Sequence, residues 1–225
     1  MSTPDAAAPG PLADSAQGRW VWKHRHALSL LYVPLFLAWF LSTEHRTRAH
    51  ETSIRSPLDD KIPFREEWIV AYGAWFPYLI GFAGWLFARD KDRSEYKRSY
   101  YLLVTGMTIC MVIYEVFPNR QDLQPAQYPR ENVFTNIVRR LQTFDNQSNV
   151  FPSLHVYTTL CVNDALQTSK LLKHPEIVRP ASWALTGLIS ASTVFLKQHS
   201  ILDGVAAAGL FAALKAAPRL FGKRL

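Results

Sequence analysis

Cysteine is nearly missing from this chain, with only Cys110 and Cys161 among 225 residues. Both fall inside apolar runs, which excludes a disulfide framework and leaves them as small packing residues. No His-Glu-x-x-His and no closely spaced cysteine pair occurs, so the usual spacings of a zinc site are absent. The ten glycines do not gather into a phosphate-cradling loop, and no segment repeats. A secretory signal peptide fits poorly, because the first apolar run begins near residue 27 after a long polar stretch. Charge of one sign is not scarce: the net charge is +7. The basic residues flank apolar segments, a distribution that suits anionic lipid headgroups and argues against nucleic acid.

What is abundant is apolar sequence, gathered in blocks. Hydrophobic residues make up 48% of the chain, yet mean hydropathy is only −0.05, because charged loops separate the blocks. Residues 27–43 and 68–88 carry no charge and approach or reach spanning length. Residues 100–117, 181–196 and 200–217 form three more blocks, and 151–172 a weaker one containing Asn163, Asp164, Gln167 and Lys170. Placed among strong spans, the weak segment is expected inside a bundle, its polar groups facing other helices. The expected fold is therefore all-α: an integral membrane bundle of six transmembrane helices over residues 19–225, after a disordered tail at 1–18. The short basic loop Arg89, Lys91, Arg93, Lys97 and Arg98 is expected on the cytoplasmic side, with both termini. Residues 44–67 and 118–150 then form loops on the outer side. Within the second, residues 132–144 have the pattern of a short amphipathic helix against the bundle or the headgroups.

Two histidine motifs fall at that outer side. Pro152-Ser153-Leu154-His155 opens the weak span, and His199-Ser200-Ile201-Leu202-Asp203 follows Lys197-Gln198. A histidine and an aspartate four residues apart share one helical face, so Asp203 can hold and polarise the His199 imidazole. Taken alone, such a pair is most often an ordinary hydrogen-bonded pair. The presence of Pro-Ser-Leu-His on the same predicted side favours a site.

These motifs resemble the type 2 phosphatidic acid phosphatase (PAP2) superfamily, whose signatures are Lys-x6-Arg-Pro, Pro-Ser-x-His and Ser-Arg-x5-His-x3-Asp. Residues 152–155 match the second in full. Ser192, His199 and Asp203 match the third, with Thr193 in place of its arginine. The first is degenerate: Phe117 stands where the lysine is expected, and Gln124 precedes Pro125. The phrasing around His155 and His199 is similar to a bacterial branch related to inositol-phosphorylceramide synthases. The likeness covers roughly residues 100–210. It implies a phosphohistidine at His199 and a general acid at His155, without metal or other cofactor.

Phosphoryl transfer also needs cations against the phosphate oxygens. Ser153 and the first amides of its helix can receive them, and Lys197 and then Arg120 are the nearest substitutes for the missing signature cations. Arg130, Arg139 and Arg140 are further candidates, though Arg139 and Arg140 more often contact headgroups or solvent. Asp164, Asp145 and Asn149 suit packing or turn roles. His24, His26, His45, His50 and His174 are assigned none. The expected function is a membrane lipid phosphatase acting on a lipid phosphate monoester or isoprenoid (pyro)phosphate in the bilayer, with the site facing the exterior of a bacterial inner membrane. The alternatives are a phosphotransferase to a lipid or inositol hydroxyl and a non-catalytic lipid-binding relative. Neither the lipid, the acceptor nor the oligomeric state is legible in the sequence.

Overall fold

A computed structural model describes residues 29–44, 50–144 and 147–220; the expected tail at 1–18 and Asp145 lie outside them. The chain divides into two compact units, Met1–Ser42 and Thr43–Leu225. Helix α1 (Tyr32–Glu44) supplies most of what is described in the first. Its sequence is apolar on every side, and Tyr32, Phe36 and Phe40 form an i,i+4 aromatic ladder with centroids 5.7 and 6.2 Å apart.

The second unit is mostly helical. After strand β1 (Thr52–Ser53) and 3-10 turns at Asp59–Lys61 and Glu66–Trp68 come α2 (Ile69–Gly73), α3 (Trp75–Arg89) and α4 (Ser94–Val116). Strand β2 (Asn119–Arg120) precedes α5 (Val133–Phe144), α6 (Leu154–Thr168), α7 (Pro175–Phe195) and α8 (Ile201–Leu220). The short strands pair in parallel, Thr52 with Asn119 and Ser53 with Arg120, an addition to the expected all-α class that ties two loops together. Helix α5 forms where the amphipathic pattern predicts it.

Among the described residues, two helices are long and apolar enough to cross a membrane: Glu66–Arg89, counted through its turns, and Ser94–Val116. Ser29–Glu44 is a shorter apolar helix. The block at 68–88 is broken between α2 and α3 because Pro77 has no N–H for the Gly73 carbonyl and its ring crowds that oxygen. The weak block shortens to the 15 residues of α6, roughly 22 Å of helix at 1.5 Å per residue.

Helix α6 touches α3, α4, α7 and α8, so it is the middle helix of its unit. Its amide side chains are satisfied internally, as buried amides require, while the buried Thr159 Oγ1 has no hydrogen-bond partner among the described residues. Asn163 Oδ1 accepts from Ser182 Oγ at 2.7 Å and from Gln167 Nε2 at 3.1 Å, while Ser182 also meets the Tyr78 hydroxyl at 2.7 Å. Lys215 bonds Asp164, the packing role expected of that aspartate. On the other face, Val156, Tyr157 and Cys161 pack with Ala207 of α8 and with Leu102, Leu103 and Met107 of α4. Gly106 is obligatory there, since a Cβ would sit 1.9 Å from Tyr157 Cζ. The Tyr157 hydroxyl reaches past it to the Leu102 carbonyl at 2.5 Å.

Candidate active site

Each histidine motif is built as a helix start. At α6, Ser153 is the N-cap, its hydroxyl accepting from Val156 N at 3.4 Å. Tyr114 Oη donates to the Pro152 carbonyl at 2.6 Å, which fixes the chain just before the cap. His155 is the second residue of the helix, and its ring lies between Tyr72 and Trp75, with centroids 4.6 and 4.5 Å away. These aromatics flank the break between α2 and α3, so both sides of that interruption meet the His155 ring. Trp75 is itself held by its indole N–H donating to Thr158 Oγ1 at 2.8 Å.

At the second motif, α7 ends with Lys197 in the left-handed region, φ 59°. Lys197 N donates to Val194 O at 3.0 Å and Gln198 N to Thr193 O at 2.9 Å, the paired bonds of a Schellman ending. His199 N also bonds Thr193 O, at 3.1 Å. Thr193, at the position of the family arginine, is thus part of a helix terminus. The next helix follows at once: Ser200 Oγ accepts from Leu202 N at 3.2 Å, and Asp203 Oδ2 accepts from Ser200 N at 2.9 Å. This reciprocal capping has aspartate where glutamate is more usual.

The same Asp203 Oδ2 lies 3.1 Å from His199 Nδ1. His199 precedes α8, so the two meet across the helix start and not along a helical face, as the spacing alone suggests. Asp203 is fully buried and His199 nearly so. The His155 and His199 ring centroids are 5.7 Å apart, edge to face. The two motifs are also joined through the main chain, Ser153 N donating to Asp203 O at 3.1 Å.

Two buried polar residues that carry no motif hold the approaches. Asn119 accepts from Val150 N and Phe151 N, both at 2.8 Å, and donates Nδ2 to the Phe117 and Phe151 carbonyls at 2.8 and 3.3 Å. It lies in the degenerate first signature, where its work is to anchor the segment leading to Pro152. Asp59 holds the other approach: its carboxylate accepts from Ser200 Oγ at 2.6 Å, Ile201 N at 2.9 Å and Ser56 N at 2.7 Å. Lys197 Nζ donates to the Asp59 carbonyl at 2.5 Å. Burial pushes the Lys197 ammonium below its ordinary value, with Asp59 and Asp60 opposing the shift. Sequence reading missed Asn119, Asp59, Tyr72 and Trp75; only the Pro57 turn before Asp59 hinted at a fixed loop.

The structure thus brings His155, His199, Asp203, Ser153 and Lys197 together. Arg120 is exposed on β2, and among the described residues no hydrogen bond ties its side chain to the histidines. Arg130 pairs with Glu66 and Glu67 at 2.8 and 2.7 Å, and Arg139 pairs with Glu131 over the Tyr128 ring. Closer to the site, Arg65 N donates to Phe195 O at 3.0 Å, beside the end of α7. Gln198 Nε2, one residue before His199, is buried without a hydrogen-bond partner among the described residues. A protein-family model described as the PAP2 superfamily matches residues 38–217. No curated protein and no solved structure matches the chain.

Proposed function

The chain belongs to the PAP2 superfamily, and from that premise we propose that it is a membrane lipid phosphatase working through a phosphohistidine at His199. The observation that carries the reading is the His199 Nδ1–Asp203 contact of 3.1 Å with the His155 ring 5.7 Å away. The Asp203 carboxylate fixes the proton on Nδ1, leaving Nε2 as the nucleophile. As the new N–P bond forms, the bond from phosphorus to the lipid oxygen breaks, and protonated His155 gives its proton to the departing alkoxide. Neutral His155 then takes a proton from water, whose oxygen displaces His199 and releases inorganic phosphate. Ser153 N–H is engaged by Asp203 O and Val156 N–H by Ser153 Oγ, so the phosphate oxygens fall to the Leu154 and His155 amides, to Gln198 Nε2 and to the two Lys197 N–H groups not spent on Asp59.

The proposal places α1, the α2–α3 pair, α4, α6, α7 and α8 as six spans, both termini cytoplasmic. The histidines then open to the exterior of a bacterial inner membrane, where a lipid phosphate meets them at headgroup depth. A phosphotransferase is the second reading, favoured by the phrasing around Phe151-Pro152-Ser153-Leu154-His155-Val156 and by the altered first signature; an alcohol then replaces water in the second step.

The test is phosphate release from a panel of lipid phosphates by detergent-purified chain, beside His199→Ala, with chelator present. Wild-type release that vanishes in His199→Ala, with insertion and folding intact, is the expected result. Full release by His199→Ala rules the mechanism out. Product that appears only when an alcohol is added moves the assignment to the transferase.

A further inference from the structure

Asp59 lies far from α8 in sequence, yet its carboxylate makes two of the hydrogen bonds that fix the start of that helix. The carboxylate is fully buried. It accepts from the Ser200 hydroxyl and the Ile201 amide across sequence separations of 141 and 142. Its own main-chain oxygen takes the Lys197 ammonium, so one residue grips both sides of His199. Ser200 is the bridge: its hydroxyl is held by Asp59, and its amide by the same Asp203 oxygen that contacts His199. A helix start offers only N–H and O–H donors, and an anion there is stabilised by the helix dipole. Burial of a carboxylate without such donors would be costly, which is why Asp59 is confined to this place.

We propose that Asp59 is a positioning residue for His199, setting the His199–Asp203 pair through Ser200 and placing a second carboxylate beside it. The position of the imidazole rests on geometry alone; only the kinetic consequence rests on the phosphatase reading. Among the described residues, Asp203 of α8 contacts His199, the His155 ring of α6 lies 5.7 Å from it, and Lys197 and Asp59 hold its two chain neighbourhoods, Asp59 from its loop. Arg55 is engaged at 2.5 Å with Asp60 on the exposed side of that loop.

The experiment uses full-length chain in detergent micelles with isotope-labelled histidine, the His199 signal being identified by its loss in His199→Ala. Asp59→Asn replaces one of the carboxylate oxygens that accept from Ser200 Oγ and Ile201 N by an amide donor, so the His199 ring signal is expected to move and to double or broaden. A single, unmoved His199 signal in a folded Asp59→Asn chain overturns the proposal. Where that variant does not fold, Ser200→Ala cuts the bridge alone: a doubled or broadened His199 signal is expected, and a single unchanged signal overturns it. Phosphate release is measured on the same samples. In Asp59→Asn, kcat is expected to fall roughly ten-fold or more, the scale of a misplaced catalytic group, with KM little changed. A wild type that never releases phosphate removes the phosphatase reading, while the His199 signal still decides the role of Asp59.

Discussion

The two approaches to the site are anchored by similar side chains of opposite character. Asn119 holds the segment before His155, and Asp59 holds the segment around His199. Residues 149–151 are irregular chain, which presents both N–H and C=O groups, and an amide can answer both at once. The start of α8 presents donors only, and a carboxylate with its charge answers those better. The side chain chosen at each point therefore follows from the backbone it must satisfy, and the two residues are not interchangeable.

Exchanging them is the sharpest way to break that comparison. Asn119→Asp turns both Nδ2–H donations, to the Phe117 and Phe151 carbonyls, into oxygen facing oxygen in a buried site. A loss of about 3 kcal/mol is expected, read as a lower melting temperature by circular dichroism in detergent. Gly106→Ala attacks α6 from behind, away from either anchor. Its Cβ meets the Tyr157 ring, and overpacking of this kind costs about 1–3 kcal/mol. Thermal melting and the His155 resonance are both expected to move, with His199 less affected. The reverse exchange, Asp59→Asn, is gentler on stability, at about 1–2 kcal/mol, because the amide keeps one acceptor for Ile201 N. Equal melting losses for the two exchanges would contradict the distinction. Smallest is Lys197→Gly. Relief of the left-handed conformation, about 1 kcal/mol, offsets the lost bond to the Asp59 carbonyl. Melting is expected to stay within about 0.5 kcal/mol of wild type, while the KM for a lipid phosphate rises if Lys197 also meets the substrate.

The same contrast explains what the sequence disclosed. Helices α4, α5, α7 and α8 were legible because period and apolar length are local properties, and the His199–Asp203 pair was legible because four residues separate it. The break between α2 and α3 was signalled by Pro77, but a long apolar run overshadowed it. Asp59, Asn119, Tyr72 and Trp75 were not legible. Their partners lie tens to more than a hundred residues away, and a buried hydrogen bond of that reach leaves no periodic trace. Lys197 reads as a free cation in sequence; its ammonium is partly spent on a carbonyl that only the fold brings near. The engagement of Arg130 and Arg139 by acidic neighbours was hidden for the same reason.

The bond from Ser153 N to Asp203 O uses main-chain atoms on both sides. It is therefore indifferent to which side chains those positions carry. Sequence drift at either residue can silence or redirect the chemistry while the two helix starts keep their separation. A chain of this design can lose or change its reaction and inherit the joined helix starts intact.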